Sequence, residues 1–212
     1  MKLTNDINLN VKKLREELNL GKSFDVIERI IEIHNHKYYF YFLDGFVKDT
    51  NMEYVRRDIY TLSEKDFTSI KTANELIEKA LSSIEASTDD DIGNIITAIL
   101  CGQTAMLCEN FNEAVILDYR TYPARGVEEP EKEKVLRGSH DGFVETIVFN
   151  TALIRRRIRD SHLTFEMHNI GSISKTDIAI GFLAGTVKEN TLSKIRDMID
   201  NLKVKSLTLG AQ

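Results

Sequence analysis

Four arginines in one short stretch, Arg155, Arg156, Arg157 and Arg159, are the residues whose type and spacing bear most directly on chemistry. They close an apolar helical pattern in FVETIVFNTALIRRRIRDSHLTFE, residues 143–166. Such a run can grip phosphate or nucleic acid, face anionic lipid, or finish a helix whose dipole favours cations in its last turns. Helical geometry limits what the four can share, because each residue turns the side chain by about 100°. A helix starting near Asp141 buries a stripe of Phe143, Ile147, Ile154 and Ile158. Arg155 and Arg159 then flank that stripe, Arg156 points away from it, and Arg157 takes a third direction. No flat basic patch results. The pattern predicts an exposed Arg156 and a buried Arg155, in the register of Val148, with carboxylate or carbonyl partners. A net charge of −5 also argues against a nucleic-acid partner.

Other candidate groups are weaker. RGSHDGF (137–143) sets two glycines before a helix N-terminus, where anions can bind, but it has neither P-loop nor dinucleotide spacing. His34 and His36 alternate beside a turn and lack the further ligands a metal needs. His140, His162 and His168 have no obvious nucleophile nearby. Cys101 and Cys108 fit neither a disulfide framework nor a zinc spacing and read as buried core in a reducing compartment. No Ser/His/Asp or paired-carboxylate pattern stands out, so the residues suggest no enzyme, metal or cofactor.

The elements that must position these residues are legible from composition and repetition. The chain has 212 residues, 42% apolar and 29% charged, which suits a globular fold. There is no signal-peptide pattern, and no run reaches the roughly 20 apolar residues of a membrane helix; as it stands the chain is expected to be soluble. Both prolines, Pro123 and Pro130, fall in a charged, glycine-containing stretch that reads as a linker, residues 123–135, between a first lobe (1–122) and a second (136–212). The EEPEKEK run within it reads as solvated.

Across that linker the sequence repeats. FLDGFVKDTNMEYVRRDI (42–59) aligns without gaps on FLAGTVKENTLSKIRDMI (182–199), with Phe42, Leu43, Gly45, Val47, Lys48, Arg56 and Ile59 recurring as Phe182, Leu183, Gly185, Val187, Lys188, Arg196 and Ile199. The same offset pairs Ile7, Asn10, Leu14 and Leu18 with Ile147, Asn150, Ile154 and Ile158. An internal duplication follows. DVIERIIEI is ambiguous alone, but its counterpart LTFEMHNI alternates as a strand, so both are strands. The repeated unit is helix–strand–strand–helix. In the first copy, NELIEKALSSI and DIGNIITAILC read as helices and residues 104–118 as a hairpin. The second copy stops before any such hairpin, which suggests a truncated repeat. The expected fold class is α/β (α+β), with small mixed sheets packed by helices.

The segment from Asp118 to Gly185 also resembles the signature block of the GerA family, the A subunits of bacterial spore germinant receptors. The resemblance rests on Arg120, Pro123, Arg125, Glu129–Pro130, Glu133, Arg137–Gly138, Gly142–Phe143, Glu145, Asn150, Leu153–Ile154 and Arg155–Arg157. Ser139–His140 departs from the Pro–Arg pair common there. The resemblance implies the N-terminal domain of an A subunit at the spore inner membrane, on the cytosolic side, with membrane helices following it. It implies B and C subunits and other A subunits as partners in a ligand-gated ion channel, and small nutrients such as amino acids, sugars or nucleosides as ligands. On this reading the crevice between the lobes, beside Arg125, Arg137, Asn150 and Arg155, is the candidate ligand site, and Arg156 and Arg157 are candidate subunit contacts. A pure scaffold, or an enzyme acting on a small metabolite at that crevice, is the alternative.

Overall fold

The computed structural model describes residues 1–33, 35–81, 84–122 and 142–207, apart from the side chains of Asp49 and Glu64. The linker at 123–135, Arg125, Arg137, His34 and His140 all lie outside the described residues.

The first copy opens with α1 (Ile7–Glu17), begun by Asp6, whose carboxylate accepts from the backbone N–H groups of Asn8 and Leu9. A hairpin follows, β1 (Val26–Ile33) and β2 (His36–Leu43), and then α2 (Asp49–Tyr60). Next come α3 (Glu64–Ser69), α4 (Ala73–Ala80), β3 (Glu85–Asp89), α5 (Ile92–Leu100), β4 (Thr104–Cys108) and β5 (Ala114–Asp118). The five strands form one sheet in the order β1-β2-β4-β5-β3. Every pairing is antiparallel, so the sheet is not of mixed direction. The cause is local. Hairpins join β1 to β2 and β4 to β5, and neither needs the crossover that a parallel pair requires.

Strand β2 is the centre of the core. Its side chains sort by the period of two. Tyr39, Tyr41 and Leu43 join α1 and α5 on one face. Tyr38, Phe40 and Phe42 join α2 and α4 on the other. A strand covered on both faces reads as a continuous apolar run, which is what YYFYFL is.

The second copy repeats the unit as α6 (Ile147–Arg157), β6 (Leu163–Ile170), β7 (Thr176–Leu183) and α7 (Glu189–Asp200). It holds a two-stranded antiparallel sheet. Details recur. Gly45 and Gly185 both sit at φ +81° after the second strand. Asn10 bonds the backbone N–H and C=O of Thr4, and Asn150 does the same to Val144.

Three sequence expectations change. Helix α6 begins at Ile147, not near Asp141, because the Asn150 strap holds the chain before it in an unwound entry. Strand β3 and helix α3 were not anticipated: EASTD has no apolar alternation, since it is an edge strand that pairs with β5 alone. Cys108 is buried, but Cys101 is only half-buried at the end of α5.

The two glycines give a paired test. At Gly185 a Cβ meets nothing within 4 Å, whereas at Gly45 it would sit 3.0 Å from Cβ of Ala152 on α6. Gly185→Ala should therefore cost only the left-handed backbone term, about 1–2 kcal/mol. Gly45→Ala should cost about 1–3 kcal/mol more through overpacking. Urea unfolding of both variants checks this, and equal costs would refute the close approach of α6.

Candidate functional site

Two arginines of α6, Arg155 and Arg156, reach the first copy. Small side chains let the backbones approach: Ala152 and Val148 pack over the turn at Gly45. One turn on from Ala152, Arg155 is fully buried, 0% exposed.

Its guanidinium is held by a carboxylate and two backbone carbonyls. Nε donates to Oδ2 of Asp25 at 2.9 Å and Nη2 to Oδ1 at 3.0 Å, a two-pronged pair. Nη2 also donates to the carbonyl of Leu163 and Nη1 to that of Asp160, each at 2.9 Å. The group lies 5.3 Å from the ring centre of Phe165, adding a cation–π contact. Asp25 is itself buried and accepts from the Ser23 hydroxyl. That hydroxyl accepts from the N–H of Phe165 at 2.8 Å, and the N–H of Phe24 donates to the Phe165 carbonyl at 3.0 Å. The loop at 23–25 thus ties α6 and β6 to the first copy in a single buried polar network.

The duplicated position behaves differently. Arg15, the equivalent of Arg155, is 45% exposed and pairs with Glu28 inside its own unit, Nε to Oε1 at 2.8 Å and Nη2 to Oε2 at 2.7 Å. Burial pushes the Glu28 carboxyl up, but hydrogen bonds from Arg15 and Tyr41 outweigh it and leave the pKa below the ordinary value. In α6 the same helical direction meets the first copy instead of water.

The neighbouring arginines extend the attachment. Arg156 is exposed, as the helical register requires, and its guanidinium lies 4.7 Å from the ring centre of Tyr122. Tyr122 is set by an edge contact with Phe46 and by a hydrogen bond from its hydroxyl to the Cys101 carbonyl at 3.2 Å. Arg120, paired through both prongs with Asp118, also reaches that carbonyl. Arg159 donates to Sγ of Cys101 at 3.3 Å. Arg157 is exposed beside Phe143 and Ile158.

Of the residues expected to form a ligand crevice, Asn150 is engaged in strapping Val144 and Arg155 in the network with Asp25. Arg125 and Arg137 are not among the described residues. Asp25, Ser23 and Tyr122 escaped sequence reasoning. The one available signal was a lone aspartate among apolar residues in SFDV. The described residues hold no group of three or more His, Cys, Asp or Glu suited to a metal, and no helix long and apolar enough to cross a membrane.

The stripe of Phe143, Ile154 and Ile158 also departs from expectation. Phe143 is 65% exposed and Ile158 39% exposed, while the buried residues of α6 are Thr151, Ala152 and Arg155. The helix buries the face that meets the first copy, where Thr151, Ala152 and the hydrogen-bonded Arg155 lie.

Removing one partner of a buried ion pair leaves the other charge uncompensated, so Arg155→Ala should cost about 3–5 kcal/mol. Arg155→Lys should recover little, since one ammonium cannot span both oxygens and two carbonyls. Arg15→Ala, at the equivalent pair whose arginine is half-exposed and whose Glu28 keeps the Tyr41 hydroxyl as a partner, should cost less, about 1 kcal/mol. Chemical unfolding of the three variants measures the contrast; comparable losses at Arg15 and Arg155 would contradict it.

Comparison with known proteins follows the same outline. The family model described as Bacillus/Clostridium GerA spore germination protein matches residues 12–211. Stage V sporulation protein AF of Bacillus subtilis (strain 168) is 31% identical over 209 residues, covering 95% of this chain and 41% of that protein. Spore germination protein KA of the same organism is 24% identical, covering 93% and 36%, and spore germination protein GerLA of Bacillus cereus is 27% identical, covering 87% and 37%. The chain thus spans well under half the length of these relatives. The crystal structure of the N-terminal domain of the A subunit of the Bacillus megaterium spore germinant receptor GerK3 has the same fold, with a TM-score of 0.73 at 21% identity over 95% of this chain and 74% of that one. With a family match over nearly its whole length, the chain belongs to the GerA family of spore germination proteins.

Proposed function

We propose that this chain is the N-terminal, extramembrane part of a spore germinant receptor A subunit and that it serves assembly and signal relay, with no reaction of its own. The observation that carries this reading is the closed state of the junction between the two copies. The Arg155 fork is taken up by Asp25 and two carbonyls with no exposure to solvent, which favours a mechanically coupled unit over a crevice that opens for a nutrient. In the full receptor the domain would lie on the cytosolic side of the spore inner membrane. It would contact B and C subunits and other A subunits, with the exposed Arg156 and Arg157 on the surface offered to them. Nutrient specificity for amino acids, sugars or nucleosides would then reside chiefly elsewhere in the receptor. A second reading, a role in spore formation itself, draws support from the 31% identity to stage V sporulation protein AF.

The exposed arginine separates these readings. Arg156→Ala removes one cation–π contact and should change stability by no more than about 1 kcal/mol. In spores carrying the full protein it should nevertheless slow nutrient-triggered germination severalfold, followed as the fall in optical density of a spore suspension at unchanged protein level. Normal germination would count against a subunit contact there, and a block before spores form would favour the second reading. A thermal-shift series with amino acids, sugars and nucleosides should give no saturable shift of this chain; one that did would return the ligand-site reading.

A further inference from the structure

Three of the five histidines lie among the described residues, and each faces a carboxylate. His36 and Glu109 stand 3.5 Å apart, His162 and Asp160 2.9 Å, and His168 and Glu166 3.7 Å. Histidine is the side chain whose charge changes between about pH 5 and 8, so each pair is a place where pH can alter an attraction. What separates the three is whether the carboxylate already has a cation. Glu166 takes both prongs of Arg196, whose hydrogen bonds hold its carboxyl below the ordinary value, so charging His168 adds little. His162 and Asp160 are two residues apart in one turn, with side chains 62% and 53% exposed, where water screens the pair. Glu109 is different. Among the described residues His36 is its one cationic partner within ion-pair range, and the two belong to different elements.

His36 opens β2, and the Tyr38–Cys108 pairing of β2 with β4 brings it to the turn that carries Glu109. Its ring also packs on Phe67 of α3, with ring centres 4.4 Å apart. One imidazole therefore touches both α3 and the β4–β5 turn. Its Nδ1 is buried and makes no hydrogen bond among the described residues. A neutral ring protonated on Nε2 aims a lone pair from Nδ1 at the carboxylate, whereas the charged ring aims an N–H at it and sets a cation beside the Phe67 ring. The other charged group around this recess of about 300 Å³ is Lys71, from the link between α3 and α4; its Nζ donates to the Thr68 carbonyl at 2.8 Å. Strand β1 sets only Ile33 opposite His36.

We propose that His36 is a pH-sensitive latch: protonated, it ties α3 to the β4–β5 turn through Phe67 and Glu109, and neutral, it lets α3 part from the sheet. Folding creates both contacts of the charged ring. Their stabilisation is therefore complete at the acid end of the histidine range and lost as pH rises through it. The positive charge of Lys71 opposes protonation, so the net gain is that of a partly exposed pair, about fivefold in the folding equilibrium.

The test is a double-mutant cycle on the 212-residue chain with His36→Gln and Glu109→Gln, each unfolded in urea at about pH 5.5 and about pH 8. The coupling between the two positions should be about fivefold in the unfolding equilibrium constant at the lower pH and below about 1.5-fold at the higher. Contributions of the other histidines cancel in the cycle, so a coupling that is absent, or equal at both pH values, would overturn the latch. A second readout needs no substitution. Hydrogen exchange of the α3 peptide in the unaltered chain, divided by the intrinsic rate at each pH, should be slowed about fivefold more at the lower pH. Equal protection at the two pH values would count against the proposal. His168→Gln should leave the α3 exchange difference in place; its disappearance in that variant would move the pH response away from His36.

Discussion

The buried pair between Arg155 and Asp25 is the constraint on which the arrangement of the two copies depends. A charge taken wholly out of water must find its counter-charge and its hydrogen-bond acceptors in one geometry. Here those acceptors come from the loop before β1, from the turn after α6 and from the start of β6. No rotation of α6 about its axis satisfies them together in another way. Such a pair adds little net stability compared with apolar packing, but it specifies a register, and Gly45 against Ala152 specifies a distance.

The same pair explains how a duplicated unit acquires two roles. In the first copy the position equivalent to Arg155 is half in water and pairs with a mostly buried Glu28 inside its own unit. In the second copy that outer face of the helix has become an interface. The inner face kept its apolar character, which is why Phe143 and Ile158 remain large and hydrophobic although the described residues leave them exposed.

The reading of this domain proposed above, transmission and not capture, rests on the same junction. A hinge between two lobes needs an interface that can part cheaply, and one sealed by a fully buried ion pair and a strand-to-loop backbone bond resists parting. The exposed side of that helix end carries Arg156 over the Tyr122 ring.

The sequence by itself determined the repeated unit. Seven identities at an offset of 140, the alternation in LTFEMHNI and the glycines after each second strand are local or periodic signals, and local physics reads them directly: side-chain period fixes the element, and a positive φ fixes the glycine. It also placed Arg156 outward and Arg155 inward, because helical angle is a matter of spacing alone. Only the tertiary structure decided what inward means. The partner of Arg155 lies 130 residues away in a loop with no periodicity, and the edge strand EASTD carries no apolar pattern because its pairing is through the backbone. The apolar stripe on α6 was visible, but not that Phe143 and Ile158 stand exposed while Thr151, Ala152 and Arg155 are buried. Which face of an amphipathic helix is buried depends on the elements that reach it, and their arrival is a property of the whole chain.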